Sequence, residues 1–401
     1  MVNAEYLIRL HSHTHKIQAN VRKRFRKFEL SLSCDVGRME LVRVPHTPTG
    51  GTLGSVNASP LMDSDIRRRT QRQKKPLDAS YVLPIAARVS QARALAGYLR
   101  RLSEIMDDVI VVDGSPPETF DAHACSWSGH VGHLRPDFET TNGKVAGVMT
   151  GVRAARHERV IIADDDVRYR QAEIVRMLAL LEEHEVVRPQ NVFRPLPWHA
   201  RWDTARSLLN RLGDGDWPGT LGVRRSLLLE AGGYSGEVLF ENLELVRTMR
   251  AAGARESVPL DLFVTRRPPS TDHFLSQRVR QAYDEWARPG RLAAQMALLP
   301  AAIALLRKRP GGLLAGVAFA VAAAEIGRRK GNGASGFPST SALWAPAWLA
   351  ERTVTSWMAF GTRLLFGGVR YRSTRLRHAA TPPRILKAKL RNTRRHRGHS
   401  G

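Results

Sequence analysis

The segment Val160-Ile161-Ile162-Ala163-Asp164-Asp165-Asp166 is an apolar β-type run that stops on three consecutive carboxylates. A run of this kind marks a strand covered on both faces. Its last residues fall on the carboxyl edge of the sheet, where open α/β sheets bind ligands. Three adjacent acids repel one another, and a hard divalent cation carrying phosphate oxygens reverses the sign of that interaction. The pattern therefore points to a metal-diphosphate site, with a solvated acidic turn as the plainer alternative.

The flanking sequence alternates strand and helix. Tyr81–Ile85 reads as a first strand, Gln91–Ile105 as a helix with Leu95, Leu99 and Leu102 on one face, and Asp108–Asp113 as a second strand. Val131–Leu134 supplies a third short strand, Val145–Ala155 a small-residue helix and Val160–Ala163 the central strand. Ala172–Glu183 is then a helix with Ile174, Met177, Leu178 and Leu181 on its apolar face. This rhythm predicts a mostly parallel sheet. Two strands end in acids, at Asp113 and at Asp164 to Asp166, on an edge where their carboxylates can converge on one ligand.

Charge narrows the ligand. The 401 residues carry 62 Lys+Arg against 37 Asp+Glu, a formal charge of +25, which predicts attraction to phosphate on a nucleotide, an anionic lipid or a nucleic acid. Much of the excess lies in the first 75 residues (Arg22–Lys27, Arg67–Arg69, Lys74-Lys75) and in the tail from Arg370, which holds no acid. Residues 1–77 read as a basic, mostly irregular extension, with an amphipathic helix over Ile17–Leu32 as the alternative. No secretory signal is expected. Cys34 and Cys125 lack CxxC spacing, which argues against a disulfide framework or a zinc site and fits a reducing, cytoplasmic compartment.

From about Tyr81 to Trp286 the residues resemble the family-two glycosyltransferases with the GT-A fold. The resemblance rests on ordered blocks: Val111-Val112-Asp113-Gly114-Ser115, Asn142-Gly143-Lys144, Asp164-Asp165-Asp166, Ala231-Gly232-Gly233-Tyr234 followed by Phe240–Leu245, and Gln277-Arg278-Val279-Arg280. The last block is similar to one in the membrane-associated branch that includes ceramide glucosyltransferases. There, however, a Trp follows the Arg, whereas here Gln281 does, leaving Trp286 as the nearest stand-in.

The resemblance implies an α/β, GT-A (Rossmann-like) domain over residues 78–290 and an inverting, metal-dependent hexosyltransferase using a nucleotide-sugar donor. It implies that Asp113 accepts hydrogen bonds from base or ribose, that Lys144 neutralises phosphate charge, and that Asp164 and Asp166 hold Mg2+ or Mn2+. Alternation along an extended segment turns Asp165 elsewhere, toward the ribose. The family's catalytic base lies in a Glu-Asp pair, but this chain has Glu241-Asn242, so Glu241, or Glu244 three residues on, must take the role. Asp216 and Trp217 belong to a loop expected to line the pocket, with the Trp as a sugar platform. Gln277 and Arg280 would share one helix face, with Arg280 toward the departing diphosphate. Arg266-Arg267-Pro268-Pro269 precedes them as a candidate flap.

Beyond residue 290 the chain becomes apolar. Leu292–Leu306 is interrupted by Gln295 and Pro300, Gly311–Ile326 follows, and Ala342–Phe366 is broken by Glu351-Arg352. Three readings stand: two tight spans with a third kinked one, re-entrant or interfacial helices, or buried helices. The reading adopted is membrane attachment over residues 291–369 with the catalytic domain on the cytoplasmic side, the basic tail 370–401 facing anionic lipid, and a lipid or membrane-linked acceptor. No nucleic-acid partner is expected. A nucleotidyltransferase of related sheet architecture or a non-enzymatic basic adaptor are the alternatives. The first lacks a glycine in Pro84–Gln91, and the second leaves acids at two strand ends unexplained.

Overall fold

Four strands, Leu77–Ile85 (β1), Met106–Asp113 (β2), Gly132–Leu134 (β3) and Arg159–Ala163 (β4), form the parallel half of a seven-stranded sheet. The molecule is a computed structural model describing residues 75–371 and 374–397. Beyond β4 the sheet continues through Thr220–Arg224 (β8), antiparallel to it, then Val186–Val187 (β6) and Glu256–Ser257 (β9), in the order β3-β2-β1-β4-β8-β6-β9. A second sheet sets Val167–Arg168 (β5) and Gln190–Phe193 (β7) on either side of Phe263–Arg266 (β10). The expected α/β class, with a mostly parallel sheet flanked by helices and apolar helices near the C-terminal end, is the one observed.

Period-two alternation divides the strands between two cores. Tyr81, Leu83, Val109, Val111, Ile161 and Ala163 face one side, against the helices Ala92–Ile105 (α1) and Gln171–Glu183 (α4). Val82, Ile110, Val112, Val160 and Ile162 face the other, against Gly143–Ala154 (α3) and Glu241–Ala252 (α7). α3 rides close to the sheet because Gly151 carries no side chain: a Cβ there would lie 3.2 Å from Val112 Cγ2 and clash with Val82. That close seat fixes the start of α3, and with it Lys144, beside the ends of β1 and β4.

Pro117–Trp127 (α2) was not foreseen, since its apolar residues follow no clear helical period. β1 starts at Leu77, four residues before the expected strand. Arg22–Lys27, the alternative helix Ile17–Leu32, Arg67–Arg69, Lys74 and Cys34 lie outside the described residues, within which Cys125 is an exposed free thiol.

The remaining helices are Trp198–Asn210 (α5), Arg225–Glu230 (α6), Thr271–Ser276 (α8), Arg278–Tyr283 (α9), Pro289–Lys308 (α10), Gly311–Arg329 (α11), Ala345–Phe366 (α12) and Pro383–Arg397 (α13). α10 and α11 are long and apolar enough to cross a membrane and are mostly exposed. Only one face of α11, through Ala320, Ala324 and Gly327, is buried, and Gly327 meets the Leu208 carbonyl of α5. α12 differs. Its Glu351 accepts hydrogen bonds from Trp202 Nε1 (2.8 Å) and Arg278 (3.4 Å), Arg278 also pairs with Asp203 (3.0 Å), and Arg352 is buried. The polar break in the third apolar segment is thus a docking face on α5 and α9, which fits a buried helix better than a kinked span.

Candidate active site

The end of β4 opens onto a cavity of about 1030 Å³ lined by Asp164, Asp165, Asp166, Lys144, Arg266 and residues after β1 and β2. Asp164 is anchored through its backbone: its N–H donates to Gly219 O at 2.8 Å and its carbonyl accepts from Val167 N–H at 3.1 Å. Gly219 is needed here because a Cβ would lie 2.6 Å from Asp164 Oδ2.

Two cations from distant segments meet these acids. Lys144 Nζ, in the first turn of α3, lies 2.5 Å from Asp164 Oδ1 and 2.6 Å from Glu241 Oε1. Burial alone would lower the lysine pKa, but the two carboxylates hold it above its usual range. Arg266 lies opposite Val167 in the β5–β10 pairing, which brings its Nε to 2.7 Å from Asp166 Oδ2 and its Nη2 to 3.5 Å from Asp164 Oδ2. It too is held above its usual range, by Asp166 and Asp164 against the opposing effect of burial. Arg266 is therefore part of the cavity wall rather than of a flap. The sequence signal for it was the surplus of three acids, which required a cation from elsewhere in the chain.

The carboxylates respond individually. Burial raises the Asp166 pKa, with Asp164 adding to the rise and Arg266 opposing it. Desolvation at the cavity wall also raises that of Asp165, helped by repulsion from Asp166 and Asp164. Asp166 Oδ1 is buried with no partner.

Glu241 and Glu244 part company. Glu241 opens α7 behind Lys144 without itself lining the cavity, its pKa raised by burial and by Asp164 while Lys144 opposes, and its Oε2 is buried and unpartnered. Glu244 faces the C-terminal segment, where its Oε2 accepts from Thr381 N–H at 2.6 Å. Asn242 acts on the backbone instead, donating from its amide to Pro218 O at 3.1 Å and so tying the Gly219 turn to α7.

Asp113, Asp216 and Trp217 lie outside this cavity. Asp113 is fully buried: its Oδ2 accepts from His123 Nδ1 (2.6 Å) and His133 Nε2 (3.2 Å), and its Oδ1 from Ser115 N–H (2.9 Å). Although burial opposes it, these bonds hold the carboxyl below its usual range. His123 comes from the unforeseen α2, and its Nε2 accepts from Gln91 N–H at 2.8 Å. Asp216 is likewise enclosed, bonded by Ser207, Asn210 (2.8 Å) and Arg206 (3.5 Å). Trp217 stacks under Arg188 (4.2 Å) and packs edge-on to Phe240, so its ring is not presented to the acids.

Gln277 and Arg280 do meet, at 3.1 Å, with Arg280 lying 4.7 Å over the Tyr371 ring and Tyr371 donating to Asn142 Oδ1 at 3.0 Å. They line a neighbouring cavity of about 440 Å³, not the acidic one. Trp286 stacks on Phe360 of α12 and does not replace the missing Trp beside Arg280.

Asp284, in the turn after α9, is pushed up to about 7 by burial, which Arg280 opposes and Glu285 reinforces. A carboxyl raised on folding binds protons that the unfolded chain has released, so stability falls as pH rises from about 4 to about 7 and is level above. Asp284→Asn is expected to raise Tm at pH 8 and leave it unchanged at pH 4. Equal shifts at both pH values would contradict this.

Residues 92–224, about a third of the chain, match the family model described as Glycosyl transferase family 2. A comparison with curated proteins found no match. Among solved structures, a mannosyltransferase from Pyrobaculum calidifontis in complex with GDP-Man and Mn2+ is 18% identical with a TM-score of 0.42, over 74% of this chain and 94% of that one. A glucosyl-3-phosphoglycerate synthase from Mycobacterium tuberculosis, in complex with Mn2+, UDP and glucosyl-3-phosphoglycerate, is 18% identical with a TM-score of 0.34, over 55% of this chain and 81% of that one. TarS of S. aureus in complex with UDP-GlcNAc is 15% identical with a TM-score of 0.35, over 50% of this chain and 61% of that one.

Proposed function

We propose that the protein is an inverting glycosyltransferase that moves a sugar from a nucleotide-sugar donor to a lipid or membrane-linked acceptor. The observation that carries this reading is the convergence of Asp164, Asp166, Lys144, Arg266 and Glu241 at the end of one strand, the first three of them within residues 92–224 that match the family model.

Asp164 and Asp166 would hold Mg2+ or Mn2+. Among the described residues no three His, Cys, Asp or Glu side chains cluster to form a complete metal cage. Two carboxylates suffice where substrate phosphates complete the shell, and the unpartnered Asp166 Oδ1 is a hard donor suited to such an ion. When bound, the ion supplies positive charge to the donor diphosphate. The chain's own residues do the rest. Lys144, at the start of α3, and Arg266 place positive charge where the leaving nucleotide gains negative charge. Glu241 Oε2 takes the proton of the acceptor hydroxyl. The hydroxyl oxygen bonds to the anomeric carbon as the bond to the diphosphate oxygen breaks, and the electron pair leaves with the nucleoside diphosphate.

Asp113 serves as a positioning residue, fixing His133 and the loop after β2, and Asp216 does the same for the loop ending at Gly219. The Gln277–Arg280 pair, from the element similar to that of ceramide glucosyltransferases, lines the neighbouring cavity rather than the acidic one. Incubation with GDP-Man, UDP-Glc and UDP-GlcNAc in the presence of Mn2+ is expected to release free nucleotide from one of them. Asp166→Asn should abolish the release. No release from any donor, or release unaffected by the substitution, would overturn the reading.

The helical hairpin α10–α11 supports membrane attachment. Its turn carries Arg307, Lys308 and Arg309, all exposed, while Arg288 and Arg291 at one end and Arg328 and Arg329 at the other lie beside the catalytic domain. Spanning would put basic clusters on both sides of the bilayer, whereas a hairpin lying in the cytoplasmic interface keeps them all on the anionic face. At about 1 kcal/mol per basic residue near such a surface, replacing Arg307, Lys308 and Arg309 by Gln should weaken flotation with phosphatidylglycerol vesicles about a hundredfold. Attachment that ignores these charges and survives carbonate extraction would indicate a span instead.

A further inference from the structure

A second cavity, of about 1110 Å³, shares no lining residue with the first. Arg188, Arg247, Arg250, Arg288, Arg291 and Lys387 line it, and the acids among its lining residues are Asp214 and Glu256, an excess of four positive charges in the lining. We propose that this cavity is a binding site for a phosphate-bearing ligand, separate from the donor site.

The internal carboxylates are too few for the cations they serve. Glu256 is shared by Arg188 (2.9 Å) and Arg250 (3.4 Å), and Glu285 by Arg288 (3.0 Å) and Arg291 (3.2 Å). Arg247 spends its donors on two backbone carbonyls, Thr381 O (3.1 Å) and Ala287 O (2.8 Å). Arg288 Nε is buried with no partner. Burial holds the Arg247 and Arg288 guanidinium groups below their usual range, and the neighbouring cations Arg250 and Arg291 push the same way. Crowded guanidinium groups, one of them with an unpartnered Nε, suit the multiple acceptor oxygens and double charge of phosphate.

Three otherwise separate features meet here. Lys387 comes from the basic tail, whose helix α13 is held against α7 by the Glu244–Thr381 bond and the Arg247–Thr381 bond. Arg288 and Arg291 bracket the start of the exposed apolar helix α10, so a phosphate seated between them lies at the foot of the membrane hairpin. The Trp217 wall belongs to the turn that continues into Gly219 behind Asp164. The phosphate can belong to a soluble anion or to a lipid headgroup.

The test uses Arg250→Gln/Lys387→Gln, since both side chains are exposed and the fold does not depend on them. Inorganic pyrophosphate is titrated calorimetrically into the full chain at low salt. In parallel, flotation is measured with phosphatidylcholine vesicles with and without phosphatidic acid. Loss of one pyrophosphate site or its weakening about tenfold in the variant, with nucleotide-sugar uptake unchanged, supports a soluble anion. A comparable loss confined to the phosphatidic acid vesicles supports a lipid headgroup. Wild type and variant indistinguishable in both arms overturns the proposal. Absence of nucleotide-sugar uptake with the pyrophosphate difference intact would defeat the glycosyltransferase reading and leave this site standing.

Discussion

Glu241→Gln is expected to lower kcat by about 10² to 10⁴ while leaving the Kd for the donor nearly unchanged. The substitution keeps the shape of the side chain, and a Gln Oε1 can still accept from Lys144 Nζ, now 2.6 Å away. What disappears is the proton acceptor at Oε2, which is buried and unpartnered and so ready for a hydroxyl. Its environment suits that role, because burial raises the pKa of the group and makes it a stronger base than an exposed carboxylate, an effect that Lys144 opposes. Glu244→Gln is the control. That side chain faces the C-terminal segment, its Oε2 accepting from Thr381 N–H and its Oε1 buried without a partner, so its loss should reduce Tm and leave kcat in place. Steady-state kinetics with calorimetric donor binding check both. A fall in kcat for the Glu244 variant alone would move the base to that residue.

Lys144→Met should be equally damaging in a different way, lowering both donor affinity and kcat, the latter by about 10² to 10³. The ammonium stands between Asp164 (2.5 Å) and Glu241 (2.6 Å), and removing it leaves two partly buried carboxylates facing each other. Their repulsion would push the already raised Glu241 pKa higher, disabling the base, and would weaken the grip on the diphosphate's counterion. The two variants thus give distinct kinetic patterns, turnover alone for Glu241 and turnover with binding for Lys144. An effect of Lys144→Met on stability only would make that lysine a structural tie.

The elements that read most clearly in the sequence were those whose residues carry both periodicity and burial. The run from Val160 to Ala163 announced a strand covered on both faces, and the acids that follow it could only lie at the sheet edge. Lys144 and Glu241 were legible through their ordered blocks, and the structure brings both to Asp164 although 97 residues separate them. Arg266 was noticed but read as part of a flap, because nothing local says that a two-residue strand, Val167–Arg168, will pair with the segment before Pro268. Asp113 and Asp216 illustrate the converse. A carboxylate at a strand end or in a turn looks available to a ligand until its partners are known, and His123, His133, Ser207 and Asn210 come from helices and strands that local spacing does not connect to them. Composition alone could not distinguish α12 from α10, since their hydrophobic content is similar, and it is the buried Ala345, Trp348, Arg352 and Ala359 with the bonds of Glu351 to Trp202 and Arg278 that make α12 part of the folded domain.

The measurement closest to the centre of this account is calorimetric titration of GDP-Man, UDP-Glc and UDP-GlcNAc into the intact protein, with and without Mn2+, beside the Asp166→Asn variant. The account predicts that one donor binds, that Mn2+ tightens its binding tenfold or more (about 1.4 kcal/mol), and that the variant loses this gain. Binding of every donor unaffected by Mn2+, or an Mn2+ effect undiminished in Asp166→Asn, would contradict it.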